Sequence, residues 1–408
     1  MRKTELLIPA GSLDVLKTAV IYGADAVYIG GEAFGLRAKA HNFSLPEMKE
    51  GIRFAHERGV KVYVTANILA HNQDLAGVEE YFEELKVAGP DALIISDPGV
   101  FAIARRVLPQ MDIHISTQAN NTNYGTFNFW HELGAKRVVT ARELSLEEIR
   151  QIRSQIPEDM EIESFIHGAM CISYSGRCLL SNYFTGRDAN QGSCTHPCRW
   201  KYAVVEETRP GEYMPVYEND RGTFIFNSKD LCMIEHIPEL LKSGIDSFKI
   251  EGRMKTALYV AAVTRTYRRA IDDCKTDVNL YRENLEWYKE EIGKCTTRDF
   301  STGFYFGKPG SDCQIYDAST YHKNYTYLGT VQEKDGLGRV RIEQKNKFSV
   351  GETIEVMKPS GENCPVKVLG IFDEEGNSQE SAPHARQILW VDFGTKLEPW
   401  DILRRSEE

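Results

Sequence analysis

The chain has 408 residues, more than one compact core usually holds, so we expect it to form at least two domains. With 42% hydrophobic and 26% charged residues it has the composition of an ordinary globular protein. Its net charge of −10 argues against indiscriminate binding to nucleic acid, although clustered Lys and Arg could still form a local basic groove. The first residues lack the long apolar run of a signal peptide or membrane helix, so a cytoplasmic protein without membrane contact is expected.

Short apolar runs alternate with amphipathic segments from the start of the chain to about residue 275. Two amphipathic segments begin with a capping box, Ser44 with Glu47 and Ser145 with Glu148. The predicted strands are Leu6–Pro9, Ala26–Gly30, Lys61–Ala66, Ala92–Ser96, Ile113–Thr117, Arg137–Thr140, Ile162–Ile166, Phe224–Asn227 and Ser247–Glu251. The glycines predicted to end helices are Gly23, Gly59, Gly89, Gly134 and Gly244.

The repetition of strand and helix at roughly 25–35 residues predicts right-handed βαβ units and a parallel sheet. About eight repeats favour an α/β fold of the (β/α)8 type, a TIM-like barrel, over an open doubly wound sheet. The residues after the first strand, Pro9-Ala10-Gly11-Ser12, do not fit the G-x-G-x-x-G dinucleotide loop. The barrel is therefore predicted for residues 1–275, with a Cys-rich insertion at about 171–222.

Beyond the barrel, residues 276–320 are predicted to be a helical linker that contains the helix Leu280–Ile292. From Tyr327 onward the hydrophobic period changes to two, and glycines separate the apolar runs. Residues 321–408 are therefore predicted to form a small antiparallel β-barrel, a class that often presents a surface to nucleic acid or protein. The predicted strands are Leu328–Val331, Arg339–Ile342, Thr353–Val356, Val366–Leu369 and Ile388–Val391.

Five of the nine cysteines fall in one stretch: Cys171, Cys178, Cys194, Cys198 and Cys232. Disulfides are not expected in a reducing compartment, so clustered thiols indicate a metal site or redox chemistry. Zinc sites usually use two tight C-x-x-C pairs, whereas only Cys194 and Cys198 are close in sequence here. The wide spacing favours an iron–sulfur cluster over zinc, while zinc and inert buried thiols stay as alternatives.

The segment around the first two cysteines carries a resemblance to a known family. The run Gly168-Ala169-Met170-Cys171, followed by Gly176-x-Cys178, resembles the signature of the collagenase-like peptidase family of unknown catalytic type. The Arg187-Asp188 pair and the Ser228-Lys229-Asp230-Leu231-Cys232 run match the same family, as do Pro9-Ala10-Gly11 and Tyr28-Ile29-Gly30. The resemblance covers essentially the whole chain.

The family is similar to oxygen-independent hydroxylases that carry a [4Fe-4S] cluster and act on tRNA wobble uridine, a ribosomal-RNA cytidine or the ubiquinone ring. By resemblance to the tRNA type, the chain is expected to convert wobble uridine to 5-hydroxyuridine, with tRNA as partner and prephenate as hydroxyl donor. The choice among tRNA, ribosomal RNA and quinone is left open, as is the need for a partner protein. The ligands that the resemblance implies are Cys171, Cys178, Cys194 and Cys232, with Cys198 as an alternative.

A peptidase is the alternative that the name of the family carries. The sequence contains neither an H-E-x-x-H motif nor a G-x-S-x-G motif. Cys171 and His167 could act as thiol nucleophile and base, but that pair leaves four further cysteines unexplained.

Polar residues after the predicted strands are expected to line a pocket at the carboxyl end of the barrel. The predicted catalytic residues are His167, Glu251 and Arg253, and the predicted substrate-binding residues are Arg37, Gln118, Asn120, Arg142 and Arg177. Arginines suit a dicarboxylate such as prephenate, although a structural salt bridge is an equal alternative for each of them.

Further side chains are candidates for contact with RNA. Tyr28 and Tyr183 could stack on a base, although packing in the core is the preferred interpretation of both. Arg265, Arg268 and Arg269, together with Arg187, Arg199 and Lys201, could bind phosphates, although a solvated helix face and loop is the preferred interpretation of these residues.

Overall fold

The structure is a computed structural model that describes residues 4–35, 42–171, 173–175, 177–189, 192–199, 218–219, 222–223, 228–309, 313, 315 and 322–407. Arg37, Lys201 and the predicted strand at 224–227 lie outside the described residues. No helix in the described part of the chain is both long and apolar enough to cross a membrane.

Eight parallel strands close into a barrel, which confirms the predicted fold class. Each strand pairs with the next along the chain, and the last strand pairs with both the first and the seventh. The first seven are β1 (Glu5–Pro9), β2 (Ala26–Gly30), β3 (Lys61–Ala66), β4 (Ala92–Ile95), β5 (Asp112–Ile115), β6 (Arg137–Val139) and β7 (Glu161–Gly168). A hairpin of β8 (Glu218–Asn219) and β9 (Gly222–Thr223) and a short strand β10 (Asp230–Cys232) precede the eighth barrel strand, β11 (Ser247–Ile250).

Helices surround the barrel at the positions that the capping signals predict. The backbone N–H of Ser44 donates to Glu47 at 2.9 Å, and that of Ser145 donates to Glu148 at 2.8 Å. All five glycines predicted to end helices have positive φ. The helices are α1 (Leu13–Ile21), α2 (Leu45–His56), α3 (Val78–Ala88), α4 (Pro98–Val107), α5 (Tyr124–Glu132), α6 (Leu146–Gln155), α7 (Leu180–Thr185), α8 (Ile237–Leu241), α9 (Ala257–Thr276), α10 (Val278–Glu283) and α11 (Leu285–Gly293).

The barrel interior holds a series of buried charged side chains. Glu163 is fully buried and accepts hydrogen bonds from Lys249 at 2.6 Å and Arg137 at 3.0 Å. Arg137 also donates to Glu5 at 2.6 Å, and the Lys249 ammonium lies 4.5 Å from the centre of the Tyr28 ring. Opposite charges are therefore paired where the surroundings screen them least. Tyr28 is buried as well, which confirms its preferred assignment to the core.

Strand β10 was not expected from the sequence. It runs antiparallel to β7, with Cys232 opposite His167 and Leu231 opposite Gly168. Its other edge pairs in parallel with β12 (Phe300–Ser301). This pairing returns the chain to the carboxyl end of β7 after the cysteine-rich segment, so Cys232 lies at the same end of the barrel as Cys171.

The C-terminal residues form an antiparallel half-barrel of eight strands, in the order β16-β15-β20-β13-β14-β19-β17-β18. The strands are β13 (Tyr325–Lys334), β14 (Val340–Glu343), β15 (Thr353–Met357), β16 (Cys364–Lys367), β17 (Gly370–Phe372), β18 (Ser378–Gln379), β19 (Ile388–Asp392) and β20 (Ile402–Ser406). Alternate side chains such as Ile354, Val356, Leu389 and Val391 point into its separate core. The period-two pattern thus identified five of the strands, while β17, β18 and β20 were missed.

The barrel and the C-terminal sheet are joined by buried polar contacts. Arg265 of α9 donates to Glu291 at 2.7 Å and to the carbonyl oxygen of Lys358 at 2.8 Å. The Tyr22 hydroxyl donates to the carbonyl oxygen of Trp400 at 2.8 Å. Arg265 is therefore buried at this junction, so its assignment to either RNA binding or a solvated helix face was wrong.

The two other arginines of α9 also have partners within the protein. Arg268 donates to Asp25 at 2.8 Å, and the guanidinium of Arg269 lies 4.3 Å from the centre of the Trp287 ring. Both side chains are partly exposed. Arg268 connects α9 to Asp25, which precedes β2, and Arg269 connects α9 to Trp287 in α11.

Candidate functional site

The cysteine-rich segment leaves the barrel at Gly168, the last residue of β7. Gly168 has φ = +110°, and a Cβ atom there would lie 2.6 Å from the carbonyl oxygen of Glu251. Only glycine accommodates both this left-handed conformation and the close approach of the neighbouring strand end. Cys171 follows three residues later and is exposed to solvent.

Two cysteine-bearing stretches are brought together by one buried serine. Ser181 in α7 is fully buried, and its hydroxyl oxygen accepts a hydrogen bond from the backbone N–H of Thr195 at 3.0 Å. Its hydroxyl also lies 3.0 Å from that of Thr195. Since Cys178 lies three residues before Ser181 and Cys194 is adjacent to Thr195, this contact joins the two stretches that carry them.

The same segment is attached to the barrel by Ser175. Asn120, after β5, donates to its carbonyl oxygen at 3.0 Å, and Arg142, after β6, donates to its hydroxyl at 3.0 Å. Arg142 also pairs with Glu251, at 3.3 Å, and its guanidinium lies 4.0 Å from the centre of the Phe165 ring. Two predicted site residues, Asn120 and Arg142, thus bind Ser175, and Arg142 connects this contact to a third, Glu251.

An open cleft of about 680 Å³ lies between the loop after β5 and the cysteine-rich segment. It is lined by Asn120, Thr122, Ser173, Tyr174 and Arg177, so it contains two predicted substrate-binding residues. Beside it, the side-chain oxygens of Gln118 and Asn120 are buried and accept no hydrogen bond from the described residues. Asn120 itself is held at φ = +57°, and its amide nitrogen donates to two backbone carbonyls, those of Gln118 and Ser175.

Arg253 lies at the carboxyl end of the barrel, 6% exposed. Its guanidinium donates to Thr65 at the end of β3 and to Asn42 in the loop after β2, both at 3.1 Å. A Cβ atom on Gly30 would lie 2.0 Å from this guanidinium, and one on Gly11 would lie 2.1 Å from the carbonyl oxygen of Arg253. The glycines in Pro9-Ala10-Gly11 and Tyr28-Ile29-Gly30 are therefore needed because Arg253 crosses the ends of β1 and β2.

Gly30→Ala is expected to destabilise the protein by about 1–3 kcal/mol, because the added methyl group overlaps the Arg253 guanidinium. Thermal unfolding of the purified variant measures the effect. Gly293→Ala is the matched control, since among the described residues no atom outside its chain neighbours and its own helix backbone lies within 4 Å of the Cβ position there. The double variant Gly30→Ala/Arg253→Ala should recover part of the loss, and no recovery would contradict the proposed overlap.

His167 lies behind the site and is 1% exposed. Its Nδ1 atom is 3.3 Å from the hydroxyl of Tyr267, and burial lowers the pKa of its imidazole to about 4. The ring is therefore neutral near pH 7, and its role as a catalytic residue stays a prediction. Cys171 is exposed while His167 is enclosed, an arrangement that does not favour the thiol–imidazole pair of a peptidase.

Tyr267 links His167 to the last cysteine of the set. Its hydroxyl lies 3.7 Å from the sulfur of Cys232 and accepts a hydrogen bond from the backbone N–H of Met233 at 3.1 Å. Burial raises the pKa of the Cys232 thiol to about 11, so the thiol is protonated unless a cation binds it. The Tyr267 hydroxyl therefore contacts both the His167 ring and the sulfur of Cys232.

None of the nine cysteines forms a disulfide, and of the five in the candidate site Cys171 is exposed while the other four are partly buried. Soft thiol donors in this number suit iron–sulfur chemistry. Within the described ranges, no three His, Cys, Asp or Glu side chains are grouped so as to hold a metal ion. The fit to a cluster therefore rests on the chemistry of the donors and on the positions of Cys171 and Cys232, which both lie near the carboxyl end of β7.

The fold and the site define a (β/α)8-barrel protein with a thiol-rich carboxyl end and an antiparallel C-terminal domain. Residues 11–314 match the model of peptidase family U32, and residues 323–404 match that of the peptidase family U32 C-terminal domain. The chain therefore belongs to peptidase family U32, which confirms the resemblance found in the sequence.

Relatives are similar over the whole length of the chain. The tRNA hydroxylation protein P1 of Bacillus subtilis is 42% identical over 407 residues, which cover 100% of this chain and 96% of that protein. The tRNA hydroxylation protein P of Escherichia coli is 39% identical, with 98% and 95% covered. The 23S rRNA 5-hydroxycytidine C2501 synthase of Escherichia coli is 38% identical over 87% of this chain and 50% of that protein.

Proposed function

We propose that this chain is an RNA-modifying enzyme that hydroxylates a pyrimidine base, namely the wobble uridine of tRNA to 5-hydroxyuridine, without molecular oxygen. The observation that carries the proposal is the joining of the cysteine-rich segment to Asn120, Arg142 and Glu251 beside an open cleft. The names of the two relatives that match over nearly the whole chain, and of a third that matches over 87% of it, support RNA as the acceptor.

The proposed cofactor is a [4Fe-4S] cluster held by Cys171, Cys178, Cys194 and Cys232, with Cys198 as the alternative ligand. Such a cluster would supply redox chemistry at the carboxyl end of the barrel. The Ser181–Thr195 contact supports this ligand set, because it joins the stretches that carry Cys178 and Cys194.

The polar groups of the site suit an anionic hydroxyl donor such as prephenate. Arg177 is exposed in the cleft and is available to a carboxylate, whereas Arg142 is already paired with Glu251. Arg142 is thus proposed to position Glu251 and Ser175 rather than to bind the donor alone. Arg253, held by Thr65 and Asn42, would provide a fixed positive charge at the opposite side of the barrel end.

Mass spectrometry of tRNA nucleosides tests the proposal. A bacterial strain without its own tRNA hydroxylation genes should lack 5-hydroxyuridine and its derivatives, and expression of this chain should restore them under anaerobic growth. Ribosomal RNA and quinones from the same cells provide the comparison with the other acceptors. Restoration of a hydroxylated cytidine or quinone with unchanged tRNA would overturn the tRNA assignment.

A further inference from the structure

The surface around α7 exposes an unusual set of large side chains. Tyr183 is 80% exposed and Leu179 67%, and Tyr174 and Phe184 are exposed nearly by half. Within α7 only Ser181 is buried, so the helix presents its aromatic residues to solvent. Tyr183 and Phe184 pack edge to face with ring centres 5.0 Å apart. The preferred assignment of Tyr183 to the core was therefore wrong.

This α7 surface, consisting of Tyr174, Leu179, Tyr183 and Phe184, has positively charged surroundings. Arg177 and Arg187 are both exposed next to it. Between residues 171 and 199 the sequence has three arginines and one acidic residue, Asp188, although the whole chain carries a net charge of −10. The segment is therefore locally basic on an acidic protein.

We infer that the α7 surface is a stacking platform for the unpaired bases of an RNA loop. Exposed aromatic rings combined with arginines are how proteins hold single-stranded RNA, because every base has a face that stacks and every nucleotide has a phosphate. A purely apolar partner would offer no negative charge to the flanking arginines, whereas the phosphates of an RNA backbone form ion pairs with them. This inference rests on the proposed function and adds where the RNA binds.

The location of the platform agrees with the location of the cleft. Tyr174 belongs to the α7 surface and Arg177 lies next to it, and both line the cleft together with Asn120. Cys178 lies between Arg177 and the exposed Leu179 in the sequence. A loop whose bases stack on the α7 surface would therefore place a neighbouring base at the cleft, beside the cysteines.

The binding of an in-vitro-transcribed tRNA with uridine at the wobble position tests the platform. Tyr183→Ala in the full-length protein is expected to raise the Kd for this tRNA by roughly 5- to 150-fold. Tyr183→Trp should keep wild-type affinity, because it retains a ring on which a base can stack. Leu337→Ala is the control, since Leu337 is 79% exposed but lies in the C-terminal domain. This variant should bind the tRNA with the wild-type Kd. Arg187→Ala should reduce the slope of log K against log salt by about one unit.

The outcomes separate this inference from the proposed function. If Tyr183→Ala binds the tRNA as the wild type does, the platform is overturned, while the nucleoside measurement still decides the reaction. If the wild type self-associates in sedimentation and Tyr183→Ala is monomeric with unchanged Kd, the surface is a contact between copies of the chain, which also overturns the inference. A transcript with a shortened anticodon loop should bind the wild type as weakly as Tyr183→Ala binds the intact tRNA.

Discussion

Cys178→Ser is expected to abolish the restoration of 5-hydroxyuridine and to remove most of the iron and sulfide from anaerobically purified protein. Changes to groups that only support metal ligands typically cost 10- to 100-fold in metal affinity or activity, so loss of a ligand should exceed about 100-fold. Cys178 is a strong choice because Ser181, three residues later, fixes its stretch against that of Cys194. Elemental analysis and visible absorption measure the cluster, and mass spectrometry of tRNA nucleosides measures the activity.

The matched control is Cys274→Ser. Cys274 is a free, partly exposed cysteine in α9, outside the candidate site, so its replacement should leave iron, sulfide and activity at wild-type levels. A Cys178→Ser protein that retains full iron and sulfide would contradict the proposed ligand set. Stoichiometric zinc with negligible iron in the wild type would instead favour the zinc alternative.

The fifth cysteine can be resolved by the same measurement. Cys194 and Cys198 lie on either side of His196, whose backbone N–H donates to the sulfur of Cys194 at 3.4 Å. If Cys194 is the ligand, as the resemblance implies, Cys194→Ser should lose the cluster and Cys198→Ser should keep it. The reverse result would make Cys198 the fourth ligand.

The sequence predicted those features of the fold that depend on local interactions. The capping boxes at Ser44 and Ser145 and the glycines that end helices have their signals within a few residues. The predicted linker helix is in fact two helices, α10 and α11, which meet at Asn284. Asn284 is a moderate helix residue, so helical periodicity alone could not reveal the break.

Features that depend on distant residues were not predicted. Strand β10 pairs with β7 across more than sixty intervening positions of sequence, and its three residues are too few for a periodic pattern. Ser175 and Ser181 were missed as well, because serines in a polar segment are typical of loops. Their roles depend on what lies across the contact, Arg142 in one case and Thr195 in the other.

The burial of individual charged and aromatic side chains was the least predictable feature of the site. Tyr183 and Arg265 exchanged their expected environments, since the tyrosine is exposed and the arginine is buried. An isolated aromatic or basic residue has no partner in the sequence that shows which side of a helix faces the core. The location of Arg253 at the carboxyl end of the barrel was easier to predict, because this residue follows the last barrel strand and functional residues of such barrels lie at the strand ends.

Arg404→Met is expected to lower the free energy of unfolding by about 3–5 kcal/mol, because it breaks a buried ion network between the domains. Arg404 is fully buried in β20, and its guanidinium lies 2.7 Å from the carboxylate of Glu291 in α11. Its Nε also donates to Glu355 at 2.6 Å. Burial tends to raise the pKa of Glu291, but Arg404 and Arg265 outweigh burial and hold that pKa below its usual value. The variant therefore leaves the buried, ionised carboxylate of Glu291 with one positive partner fewer. Because Arg265 still donates to this carboxylate, the expected loss of free energy of unfolding lies toward the lower end of the range.

The neighbouring Arg405 is the matched control on the same strand. It is about one-third exposed and pairs with Glu352 at 2.9 Å, so Arg405→Met should cost no more than about 1 kcal/mol. Denaturant unfolding followed by tryptophan fluorescence measures both variants, and Trp287 and Trp400 lie close to the junction of the domains.

The double variant Arg404→Met/Glu291→Gln should lose much less free energy of unfolding than the two single variants lose together. The reason is that Arg404→Met alone already removes much of the stabilisation of the Glu291 carboxylate. Equal losses for Arg404→Met and Arg405→Met would show that the buried network does not hold the two domains together.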